Sequence, residues 1–255
     1  TYIHETGHVL GLDDYYNYDS TGSGFGPAGQ IDMMDYNITD HNTFSKMALG
    51  WTKPYIVTGN AEITINPSQS SGDCILIPRV GKTYAGHPFD EYILLELYTP
   101  TGLNQSDATS AYAGSYPLAY TVPGVKLFHL DARLVNNTYS SSTGKWTAGA
   151  YTSTLGTSSS NNYYSVGNSN TPSYSKTSTY SLIHLIEAGG TNTFKTGNAG
   201  TNSTLFKTGN TFSMASYGNN FFPRTTLMND GYAFGYTISF VSVSSTSATI
   251  RISVI

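Results

Sequence analysis

Five consecutive residues near the start of the chain, His4-Glu5-Thr6-Gly7-His8, set two metal-seeking imidazoles beside a carboxylate. Residues four apart on a helix stand one turn above each other, so both histidines can reach a single divalent ion. Glu5 then projects beside them, toward a water on that ion. Two ligands do not hold zinc stably, and the chain offers a third close by. Gly11 can end the helix with a positive φ, and the turned chain brings Asp14 back to the two rings. Asp13 competes for that place, because a one-residue difference in the turn exchanges the two carboxylates. A chance H-E-x-x-H arises in a chain of this length with a probability of roughly one in a hundred, and the added Gly11 and Asp14 make the full pattern far rarer. No glutamate lies between Glu5 and Glu62. A zinc site completed by a glutamate from a second helix some twenty residues downstream therefore has no ligand to use. The chemistry this spacing suits is hydrolysis by a water on Zn²⁺ held by His4, His8 and Asp14, with Glu5 as general base.

The elements that must position these groups occupy residues 1–54. A helix is predicted from Tyr2 to about Leu10, followed by a glycine-rich loop from Tyr15 to Gly29. A second helix is expected over His41–Leu49, capped by Asp40 and stopped by Gly50, and Pro54 closes the segment. Beyond it the period changes from helical to alternating. Residues 61–65, 74–77, 92–97, 125–130 and 182–186 read as strands. Ile238, Phe240 and Val243 oppose Ala248, Ile250, Ile252 and Val254 in a final hairpin that turns near Ser245-Thr246. Residues 55–255 thus form an all-β module, and the fold class is α+β. The Ser/Asn/Tyr-rich stretch at about 136–179 lacks aliphatic residues and reads as a long surface insertion.

Composition narrows the function classes. The 255 residues include 12 basic and 16 acidic side chains, a charged fraction of 11%, under half the usual share of about 25%. With 38% hydrophobic residues the chain can bury a core, so disorder throughout is excluded. No apolar run approaches the ~18 residues of a membrane span, and a net charge of −4 offers no field for a phosphate backbone. Membrane-spanning and nucleic-acid-binding readings both fall. Cys74 is the only cysteine, which rules out an intrachain disulfide and a thiolate metal cage. Low charge is replaced by Ser, Thr, Asn, Gly and 21 Tyr, a composition that suggests an extracellular or bacterial cell-surface setting. The chain starts at Thr1 without initiator Met or signal peptide, so a longer parent is expected.

The pattern from His4 to Asp14 resembles the metzincin clan of zinc endopeptidases. More narrowly, His4 to Tyr16 together with the string from Asp32 to Trp51 (DMMDYNITDHNTFSKMALGW) resembles the bacterial secreted immune inhibitor A family. The β region around Val125–Asp131 resembles the segment downstream of those motifs in that family, though only the first 51 residues carry specific motifs. The resemblance implies the C-terminal lower subdomain of a metzincin-like catalytic domain, followed by a mostly antiparallel β-sandwich-like module. It makes His4, His8 and Asp14 zinc ligands, Glu5 the general base, and Met34 the residue of the methionine turn, with Met33 the alternative. Tyr36, two residues on, falls where some metzincins place a tyrosine that binds the metal or the oxyanion. Protein or peptide substrates are implied. An aspartate as third ligand, in place of the commoner histidine, implies a weaker Lewis acid. The clan also has an upstream sheet forming the upper rim of the cleft, covalently continuous with the zinc helix. The isolated chain is therefore expected to cleave weakly or not at all. The competing expectation is a non-catalytic β-sandwich module for adhesion or glycan or protein binding, carrying a relic metal site.

Other residues carry weaker signals. His41, expected at the start of the second helix, reads either as a cleft group or as a neutral histidine satisfied locally. His129 and Asp131 share a strand face, which suits packing, an ion pair or a metal. His87 and His184 have no partner visible in sequence. Asp13, Asn17, Asp19, Asp32 and Asp35 gather oxygen ligands near the glycine-rich loop and could hold a structural Ca²⁺, although their spacing matches no EF-hand. Cys74 reads as a buried, unreactive thiol.

Overall fold

A computed structural model describes residues 2–19, 24–112, 114 and 116–255; residues 20–23 of the predicted glycine-rich loop lie outside that set. The change of period near Pro54 is realised as an α+β architecture in which short helices precede and decorate three sheets. The helices are α1 (Tyr2–Val9), α2 (Met33–Tyr36), α3 (Thr43–Ala48), α4 (Ser68–Ser71), α5 (Gln105–Thr109) and α6 (Met214–Phe221). Among the described residues no helix is long and apolar enough to cross a membrane.

A five-stranded sheet runs through the middle of the molecule. It uses β1 (Tyr55–Ile56), β3 (Ile75–Ile77), β4 (Glu91–Tyr98), β5 (Gly124–Asp131) and β9 (Ile183–Ile186), in the order β1-β3-β4-β5-β9. All neighbours are antiparallel except β1 with β3. A second, antiparallel sheet has the order β10-β11-β12-β2, from β10 (Thr211–Phe212), β11 (Tyr236–Val243), β12 (Ala248–Val254) and β2 (Ala61–Ile65). Every residue of β4 and β5 is buried, because the central sheet is covered on both faces. Ile93, Leu95, Leu97, Val125 and Leu127 meet Ile238, Phe240, Ile250 and Ile252 of the second sheet in one core, which α6 closes with Met214, Tyr217 and Phe221. The alternate residues Leu76, Tyr92, Leu94, Phe128 and Leu130 face the other way, onto Leu12, Tyr15, Met34, Phe44 and Met47. The described residues of the first 54 are thus docked on the back of the sandwich, through Leu12, Tyr15, Met34, Phe44 and Met47. The final hairpin turns at Ser244–Ser247, with a bulge between Phe240 and Ser242.

The stretch expected as a surface insertion at 136–179 carries regular structure: β6 (Leu134–Ser140), β7 (Lys145–Thr152) and β8 (Asn162–Val166) form a three-stranded antiparallel sheet in the order β7-β6-β8. Thr, Tyr and Trp suit a pleated surface, and a sheet with one solvated face needs few aliphatics. The second helix is also shorter than expected and differently capped. Asn42 accepts from the Ser45 amide at 3.0 Å, while Asp40 pairs with the Lys46 ammonium. Glu96 of β4 accepts from the Thr43 amide at 2.7 Å, which pins the start of α3 to the central sheet.

Candidate metal centre

The loop after α1 is fixed by a glycine. Gly11 adopts φ +99°, the Gly11 amide donates to the His8 carbonyl at 2.9 Å and the Leu12 amide to the Gly7 carbonyl at 3.0 Å. This is the paired closure of a helix that ends in a left-handed residue. It reverses the chain, and Asp14 returns to α1 with only 5% of its surface exposed.

Three side-chain atoms then converge. Asp14 Oδ1 lies 2.9 Å from His4 Nε2 and 3.3 Å from His8 Nε2, and the two Nε2 atoms are 3.1 Å apart. The other ring nitrogens are engaged by backbone: His4 Nδ1 with the Met33 carbonyl at 2.7 Å, His8 Nδ1 with the Leu12 carbonyl at 2.9 Å. A carbonyl oxygen only accepts, so each Nδ1 carries the hydrogen, and in the neutral rings both Nε2 lone pairs face inward. Asp14 Oδ1 is buried and has no hydrogen-bond partner. Three acceptors aimed at one point repel one another unless a cation lies among them. Their separations also fit zinc, because ligand atoms bonded at about 2.0–2.1 Å in a tetrahedral site stand roughly 3.3 Å apart. Among the described residues this is the one group of three or more His, Cys, Asp or Glu side chains able to hold a metal. Asp13 is exposed and accepts from the Asp14 amide, outside the triad.

The floor beneath the triad is α2. Asp32 caps it, accepting from the Met34 amide at 2.9 Å and from Asn42 Nδ2 at 2.8 Å. Met34 is fully buried against α1, where a Cβ on Gly7 would fall 2.6 Å from its sulfur. Gly7, between the two histidines, therefore permits the close approach. Met33 contributes through its carbonyl, which orients His4.

Beside His4 a cleft of about 250 Å³ is lined by Glu5, Tyr16, Asp35, Tyr36, Asn37 and Tyr116. Glu5 is exposed at its edge. Tyr36 stands at the rim, edge-on to Tyr116 at 5.7 Å and to Tyr16 at 6.5 Å. Tyr16 lies nearer the triad, its ring within 23° of parallel to His4 at 6.5 Å. Burial, and after it the Asp14 carboxylate, pushes the Tyr16 hydroxyl up to about 12, so it stays a donor at neutral pH. Burial likewise raises Asp35 to about 8, although its Oδ2 accepts from the Gln30 amide. Sequence reasoning missed Tyr16; the signal available was its place two residues after Asp14.

The remaining candidates lie elsewhere. Of the loop carboxylates considered for Ca²⁺, Asp32 and Asp35 accept from backbone amides around α2, and Asp19 accepts from Ser173. His41 precedes α3 rather than lying on it, packs against Trp51, and is held below its usual range by burial. His129 donates to Glu91 at 2.9 Å and Asp131 takes a bidentate bond from Arg133, so the pair serves ion pairing in the core. Burial pushes His184 down to about 3, and His87 bonds the Ser153 carbonyl. Cys74 is buried and its thiol raised to about 12 by burial. Glu62 is exposed and paired with Arg251. No protein family, curated protein or solved structure matches the chain.

Proposed function

We propose that the chain is the metal-binding half of a secreted zinc endopeptidase. The observation that supports this reading is the convergence of two tautomerically fixed imidazoles and a buried carboxylate, whose Oδ1 has no hydrogen-bond partner, beside an open cleft. His4, His8 and Asp14 would hold Zn²⁺, which supplies Lewis acidity and a water of lowered pKa. Glu5, one residue from a ligand and on the cleft, takes a proton from the attacking water and returns it to the departing amine. Tyr16 and Tyr36 supply hydroxyl donors along the same cleft toward a developing oxyanion. Three protein ligands argue for a reactive rather than a structural zinc, which takes four.

The test is Glu5→Gln. Zinc content is measured on the purified chain, and casein cleavage on the parent protein that carries it. The expected outcome is unchanged zinc and a loss of cleavage on the order of 100-fold or more. A chain that takes up no zinc, or a variant as active as the parent, overturns the reading.

A further inference from the structure

We propose that the outer face of the β7-β6-β8 sheet is a docking platform for a neutral polysaccharide. The inference is independent of the metal site. Tyr139 pairs in register with Trp146, and Asn137 with Tyr163, so three rings from three strands stand on one face. Their centroids are 5.3 Å apart for Tyr139 and Trp146, and 4.8 Å for Trp146 and Tyr163. They are 39%, 45% and 42% exposed. The sheet has an inside, but the trio is not on it: Leu134, Tyr164 and Val166 line a cavity of about 640 Å³ against the N-terminal segment. A lone exposed ring is ordinary, whereas adjacent aromatics left in water mark an interaction surface. Tyr163 meets Trp146 edge-on and Tyr139 lies tilted at 49° to it, so each ring restricts its neighbour's rotamers before a ligand arrives and less ordering entropy is lost on binding.

The charge of the face selects the partner. Around the rings stand Asn137, Ala148 and Ser165, with the exposed Asn161 amide at the end of β8. None carries a formal charge, and Lys145, beside Trp146 in sequence, alternates to the other side. Close to the rings an anionic polymer finds no cation and a basic one no carboxylate; the cations of this face, Arg133 and Lys176, lie further along it, against Tyr151. A neutral pyranose chain is complementary: its C–H faces stack on the rings, and its hydroxyls pair with amides and hydroxyls.

The chain has two tryptophans, so Trp51→Phe leaves Trp146 as the sole reporter. Titration with soluble xylan and chito-oligosaccharides, and depletion onto cellulose and chitin, should give a fluorescence change and retention with at least one of them. Raising the salt concentration should leave both unaltered. Trp146→Ala should weaken binding about tenfold or more and Trp146→Phe less, with unchanged thermal midpoints as the check on folding. The proposal fails if no neutral glycan is bound, if Trp146→Ala binds as well as its parent, or if only an anionic polysaccharide or a protein engages the face.

Discussion

At the residue scale two carbonyl oxygens, of Met33 and Leu12, decide what two histidines can do, because they take the Nδ1 hydrogens and leave the Nε2 lone pairs facing Asp14. Asp13 and Asp14 are indistinguishable by type, and the turn separates them. Asp14→Ala should weaken zinc binding on the order of 100-fold or more and abolish the rise in thermal midpoint that zinc gives; Asp13→Ala should leave both intact, as read by chelator competition and thermal melts. Asp35 yields a pH prediction for the metal-free chain. Its carboxyl keeps a proton to about pH 8 in the fold, whereas the unfolded chain releases it near pH 4. Its contribution to stability is therefore full below pH 4 and is lost as the pH rises through 8. Asp35→Asn should flatten the dependence of thermal midpoint on pH in that window and raise the midpoint at pH 8 by on the order of 5 °C. An unchanged slope would show that Asp35 titrates normally.

At the element scale the instructive case is α3. Asp40 stands where a cap is expected, yet its carboxylate is taken by Lys46 and its amide by Asn104, 64 residues away. Asn42 does the capping and also holds Asp32, the cap of α2, so one amide aligns the helix behind the site with the turn beneath it. Asn42→Ala removes both bonds and should cost about 2 kcal/mol in denaturant unfolding. Asn42→Ser, which keeps a cap but loses Asp32, should cost less. Local spacing could nominate either residue; only a partner distant in sequence separates them. The β6–β8 segment escaped a sequence reading for a related reason, since its stability comes from backbone pairing and from Leu134, Val135 and Val166 at its base rather than from an apolar period.

At the scale of the molecule the central sheet does two jobs, closing a sandwich on one face and carrying the segment with the candidate metal centre on the other. Its far end is tied by ions. Glu91 accepts from His129 at 2.9 Å and from the amides of Asn229 and Asp230 at 2.5 and 2.8 Å, while Asp131 holds Arg133 and Asn229. Removing one member leaves the others buried and unpaired, so Glu91→Ala should destabilise the fold by about 3–5 kcal/mol in denaturant unfolding. Zinc binding to the residual folded fraction should be unaffected, because the ligands lie on the opposite layer. A loss under about 1 kcal/mol would show that water replaces the carboxylate there.

Period and spacing by themselves determined the helix that bears His4 and His8, the glycine that ends it, the nearby aspartates, and most strands of both large sheets, because a helix face, a left-handed turn and a pleat are each written within a few consecutive residues. Which aspartate enters the triad, which methionine lies beneath it, how Tyr16 comes to share the cleft with Tyr36, and how the strands are ordered were decided by the tertiary structure alone. Each depends on contacts between segments far apart in the chain, where burial and the pairing of polar groups choose among options that local sequence leaves equal.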